Sequence, residues 1–338
     1  MRGGSFNRKR LSVMLGASVA TLASLAATLV ANPAQAATSA CSLPSTYRWT
    51  STGGSGSAPG RTRPRAGHPG KGRLRRPDSW RGYLDGTDAI VHLLMDMDDS
   101  IGRDRRLFAE LVSSQKRLRR RHHPAYTTGI SAYGRTRLAL MDENSPGNPE
   151  SPLGFRLLLE EELAAGTLAH TVVRPGFVSG GPATTSLSGQ WFAAAEAGEP
   201  VFYGDTSKHY SWVHVDDLAD AYVRILDNPA AVDGEVFVIA DDQRPRALDV
   251  QRVAVRAAGC TGEITLEPAE AGGMMQVAAD QDELVSSAKA HRLLGWRPRH
   301  ASFTDNPEQH CRAWKAGRRC LSSRSSWHEP AVDHGHPA

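Results

Sequence analysis

The sequence predicts an α/β fold: an incomplete parallel sheet followed by a small C-terminal α+β part. Three observations predict it. Between residues 88 and 178, short β-branched runs alternate with segments of helical apolar spacing, the rhythm of parallel βαβ units. Regular apolar patterning begins only at residue 72. No unit of strand, glycine loop and helix precedes that point: "GGSGSAPG" has glycines, but neither an apolar strand before it nor a periodic helix after it.

The chain opens with "MRGGSFNRKR", a basic n-region, then the apolar run "LSVMLGASVATLASLAATLVA" and the small-x-small site "AQA" before Ala37. Residues 1–36 read as a secretory signal peptide, so no membrane span remains after cleavage. Residues 37–71 are rich in Gly, Pro and Arg, lack periodicity and have little to bury, which predicts a disordered basic linker. Residues 1–81 hold thirteen Lys/Arg and one acid, Asp78. They carry +12 of a net +4, leaving a body of −8. Basic charge confined to leader and linker is no nucleic-acid footprint. Cys41, Cys260, Cys311 and Cys320 have no metal-ligand spacing, and no metal site is expected.

In the body, "DAIVHLL" (88–94) reads as a buried strand and "RDRRLFAELVSSQKR" (103–117) as a helix, with Leu107, Phe108, Leu111 and Val112 at helical spacing. "AYTTGISAYG" (125–134) reads as a strand end entering a loop, "LGFRLLLEEELAAG" (153–166) as a helix stopped by Gly166, and "HTVVRPGFV" (170–178) as a strand. Helices follow at "SGQWFAAAEAG", "VHVDDLADAYVRILDN", "DVQRVAVRAAG" and "SSAKAHRLLGW", with a strand at "EVFVIAD". Asp216 and Asp217 stand where a helix begins and are expected to accept its free N–H groups. Residues 317–338 read as a disordered tail.

Two resemblances follow from quoted segments. "CSLPSTYRWTSTG" (41–53) resembles the mature start of secreted α-L-arabinofuranosidases of glycoside hydrolase family 62, and the likeness stops there. Residues 72–316 resemble the NAD(P)-dependent epimerase/dehydratases of the extended, atypical short-chain dehydrogenase/reductase family, through "DAIVHLL", "YTTGISAYG", "VVRPGFVSGG", "VHVDDLADAY" and "SSAKAHRLLGWRPR" in that order. The resemblance implies an incomplete Rossmann-like sheet lacking its first βαβ unit, NAD or NADP as cofactor, and a small carbonyl or sugar-like substrate. It places Thr128 as the catalytic hydroxyl that polarises the substrate oxygen. It places His92, Thr127, Pro175, Gly176, Phe177 and Val178 beside the cofactor, and His214 against substrate. His92 also fits a packing role at a strand end, and His214 a structural one.

The sequence departs from that family in its proton-transfer pair. Phe155 stands at the Tyr position of Y-x-x-x-K and Leu159 at the Lys position, and neither moves a proton. An impaired oxidoreductase is therefore expected. The alternatives are a non-catalytic scaffold remnant or binding protein and, on residues 41–53 alone, a secreted arabinoxylan hydrolase.

Overall fold

The computed structural model describes residues 11–14, 77–84, 87, 89–93, 99–181 and 186–324. The linker, most of the leader and the last fourteen residues lie outside them. Among the described residues a five-stranded sheet runs in the order β1 (Leu11–Met14), β2 (Ala89–His92), β3 (His123–Thr127), β4 (Thr171–Pro175) and β8 (Glu235–Ile239), with every pair parallel. Strands β2, β3 and β4 are wholly buried, as a parallel sheet covered on both faces requires.

Helices cover the two faces. The short α1 (Arg81–Leu84), α2 (Ser100–Leu118) and α3 (Phe155–Ala165) pack Leu84, Leu107, Leu111, Leu159 and Leu163 on Ile90, Tyr126 and Val172. On the opposite face α5 (Val215–Asp227) sets Leu218, Ala221, Tyr222 and Ile225 against Val91, Ala125, Val173 and Phe237. The alternation follows from the two-residue period of a strand.

The C-terminal part carries two further parallel pairs: β5 (Phe177–Ser179) with β7 (Trp212–His214), and β6 (Val201–Tyr203) with β9 (Thr265–Glu267). Around them lie α4 (Leu187–Ala197), α6 (Ala247–Ala257), α7 (Met274–Ala278), α8 (Ala288–Leu293) and α9 (Pro307–Arg324). Their core is aromatic: Trp191, Phe192, Trp212, Phe303 and Trp314.

Two stretches differ from expectation. Leu11–Met14, inside the apolar run of the leader, is a strand in register with β2, Leu11 opposite Ala89 and Met14 opposite His92. Residues 317–324, expected in the tail, continue α9 to Arg324; the helix is held by its first turns, which bury His310, Cys311 and Trp314. No described helix is long and apolar enough to cross a membrane.

Candidate functional site

The carboxyl ends of β2, β3 and β4 meet along one rim of the sheet, where open α/β folds place their ligands. They bring together His92, Thr127, Thr128, Pro175 and Gly176. Most of these side chains are engaged within the protein.

His92 is fully buried and turns toward α2, its Nε2 3.0 Å from Asp104 Oδ1. Tyr126 Oη donates to Asp104 Oδ2 at 2.8 Å. Burial pushes the Asp104 carboxyl up, but His92, Arg156 and Tyr126 outweigh it and hold the group below its ordinary value. His92 therefore packs as a strand-end residue. Thr127 lies on the other face, its hydroxyl bonded to Tyr222 of α5, while Arg156 Nη1 donates to its carbonyl at 2.6 Å.

Thr128 Oγ1 donates to Glu160 Oε1 at 2.7 Å. Arg174 of β4 grips both oxygens of that carboxylate and donates to Tyr133 Oη at 2.8 Å. Tyr133 donates onward to Asp142 O at 2.7 Å, and burial pushes its phenol up to about 12. Phe155 is half-buried and Leu159 sits fully buried in the core. The polar pair that α3 sends toward β3 is Arg156 and Glu160, one turn apart. Sequence reasoning missed both. Their only signal was charge on a face that otherwise buries leucine.

After β4 the chain passes Pro175 to Gly176, whose N–H donates to Ile239 O at 2.9 Å. A Cβ on Gly176 would lie 2.6 Å from Ser211 O, so only glycine fits against that carbonyl. Phe177 stacks toward Tyr210, centroids 4.1 Å apart, and Val178 is buried in the core. Of the expected cofactor residues, Pro175 and Gly176 bring backbone to this rim, and the expected catalytic Thr128 stands beside them with its hydroxyl on Glu160. His92 and Thr127 engage Asp104 and Tyr222, and Phe177 and Val178 pack within the protein.

His214 caps α5, its Nδ1 accepting from Asp216 N at 3.2 Å. This corrects the expectation that the aspartates cap. Asp217 instead accepts from His300 N and pairs with His300 Nδ1, at 3.0 and 2.9 Å. The His214 and His300 rings stack 12° from parallel with centroids 4.0 Å apart. Lone pairs held in parallel planes do not converge on one ion, although Asp216 lies beside both rings.

A cleft of about 160 Å³ opens in the C-terminal part, lined by Trp191, Phe202, Tyr203, Lys208, Tyr210 and Gln251. Lys208 Nζ donates to Tyr203 O at 2.7 Å and lies 3.2 Å from Asp280. Burial lowers its ammonium despite that carboxylate. Gln251 donates to Val201 O, but its buried Oε1 has no partner among the described residues. An orphan acceptor beside aromatic walls can hold a ligand N–H or O–H.

The NAD dependent epimerase/dehydratase family model matches residues 43–240, starting within the stretch read as linker. UDP-glucose 4-epimerase of Lactobacillus helveticus is 24% identical over 205 residues, 53% of this chain and 60% of that protein. The match thus spans less than two thirds of that curated relative. A double mutant of dTDP-glucose 4,6-dehydratase from Streptomyces venezuelae, solved with NAD and DAU bound, superposes with a TM-score of 0.62 at 20% identity, over 73% of this chain and 79% of that one. RMD from Pseudomonas aeruginosa, complexed with NADPH, gives 0.62 at 18% identity over 92% and 100%. The structural likenesses carry the fold and the family match covers more than half of the sequence, so this chain belongs to the NAD dependent epimerase/dehydratase family.

Proposed function

We propose that the chain is an NAD(P)-dependent oxidoreductase-like protein with a sugar-like substrate, and that its chemistry is impaired. The carrying observation is the Thr128–Glu160 hydrogen bond of 2.7 Å. Thr128 stands at the end of β3, where a hydroxyl could meet a substrate oxygen, but its proton is committed to a carboxylate. No phenol–ammonium pair stands at Phe155 and Leu159 to replace it. Nicotinamide, when bound, would supply or accept the hydride. The chain's own part is to seat the ring against the Pro175–Gly176 backbone and to position a substrate oxygen at Thr128.

The C-terminal cleft supports a substrate with an N–H-bearing head group, since Gln251 Oε1 lacks a donor there. The named relatives act on UDP- and dTDP-linked sugars, and the same class is proposed here. The second reading, a non-catalytic scaffold or binding protein, is favoured by the ion pair Arg174–Glu160 filling the rim. Export of the chain by residues 1–36 remains part of the proposal, resting on the basic start, apolar run and "AQA".

The test is fluorescence titration with NADH and NADPH, followed by turnover assays with UDP-glucose and dTDP-glucose. Binding with little or no turnover is expected. Brisk turnover would overturn the impairment, and failure to bind either cofactor would leave the scaffold reading.

A further inference from the structure

Three imidazoles from three separate segments meet beside the C-terminal part. His214 ends β7, His300 follows α8, and His310 lies in the first turn of α9. The His214 ring stacks on His300 at 4.0 Å and lies 5.6 Å from His310. His310 stacks in turn on Phe303, 4.7 Å away and 27° from parallel. His214 and His310 are largely buried.

The three rings are chemically unequal. His300 Nδ1 meets the buried Asp217 carboxylate at 2.9 Å, and its Nε2 lies 3.6 Å from Asp216. A proton resident in the stack belongs there. His214 Nδ1 must keep its lone pair, because it accepts the Asp216 N–H that starts α5. Protonating that nitrogen would set donor against donor and break the cap. Among the described residues no carboxylate pairs with His310, whose neighbours are Phe303 and His214. The charged and titratable groups facing the stack are Asp216 and Asp217 of α5, Arg299 and His300 of the loop, and the other two histidines. Burial first, and His300 after it, lowers His214 to about 4. Burial, then His214 and His300, lowers His310 to about 4. The Asp217 hydrogen bond raises His300.

His310 sits on α9, which packs against α6 and α4. Those two helices supply Trp191 and Gln251 to the cleft wall. We propose that the histidine stack is an acid-sensitive latch: a second proton entering it frees α9 from α4 and α6 and loosens the cleft they wall. The latch needs no particular substrate and so stands apart from the catalytic reading.

The test is hydrogen exchange on the full chain at about pH 7.5 and about pH 5, corrected for intrinsic rates, where histidines titrate. Amides of 307–316 should lose protection on the order of tenfold or more at the lower pH, from the gap between buried and free imidazole. The amides of β4 and β8 should not follow. His310→Phe keeps an aromatic ring against Phe303 and should remove the acid step. His300→Gln, which removes the standing charge, should move the step to lower pH, since one proton could then be held without repulsion. A chain protected nowhere, an α9 that loses protection only together with the sheet, or a step that survives in His310→Phe overturns the latch.

Discussion

Thr128 gives its hydroxyl proton to Glu160 across 2.7 Å, and Arg174 holds the same carboxylate from β4. The three side chains come from a strand end, a helix and the neighbouring strand, and all are buried. A buried carboxylate so placed is tolerated only while its donors remain. Glu160→Ala should cost about 3–5 kcal/mol, because it leaves the Arg174 guanidinium buried and unpaired. Thr128→Val should cost roughly 1 kcal/mol, the worth of one hydrogen bond. Urea denaturation of both variants checks this; a loss under about 1 kcal/mol for Glu160→Ala, typical of an exposed pair, would refute it.

A second carboxyl is buried deeper still. Glu283 is 1% exposed, and burial pushes it from 4.5 to about 7. The folded state keeps that proton up to about 7 while the unfolded chain gives it up near 4.5. Its contribution to stability therefore declines as pH rises through that window and is level above it. Glu283→Gln should remove the decline and gain roughly 2–4 kcal/mol at alkaline pH, from the size of the shift. Denaturation midpoints across the window would show it, and parallel curves for parent and variant would speak against it.

Gly176 is a tight point of the rim, with Ser211 O only 2.6 Å from where a Cβ would stand. Gly176→Ala must push the start of β5 from the Ser211 carbonyl and should cost about 1–3 kcal/mol, as overpacking does. The same variant should weaken NADH or NADPH binding if the ring rests on this backbone. Thermal melts with and without cofactor separate the two effects. A variant as stable as the parent would mean that the turn has slack.

Tyr126 and His92 share Asp104 beneath the rim. Asp104→Ala should destabilise by about 3 kcal/mol or more, as loss of one partner in a buried charged network does, whereas Tyr126→Phe should cost roughly 1 kcal/mol. Equal, small losses would show that His92 does not depend on the carboxylate.

Much of this fold was legible because its signals are local. "DAIVHLL" needs only β-branched composition, and Leu107, Phe108 and Leu111 need only helical spacing. Gly166 ends α3 where a glycine stop was expected. The three-residue β6 and β9 were not legible, being too short for a period and, in β9, fully exposed. The site was read less well, for a physical reason. Glu160 finds Thr128 thirty-two residues away, and nothing in the local pattern of α3 says which of its charges turns inward. His214 was read as a substrate group or a structural one, and the structure uses it as a cap, a task more often given to Asp or Ser.

Strand β1 has a consequence for how copies of this chain meet. Among the described residues, β2 has a neighbour on each side only while Leu11–Met14 pairs with Ala89–His92. A chain cut after Ala36 has lost that neighbour, and no other described strand covers the β2 edge, "AIVH". Such an edge invites strand addition from another molecule. Sedimentation of residues 37–338 beside the full chain should find the shorter form self-associating, so that a cut at Ala36 would also decide whether the protein stays apart from its own kind.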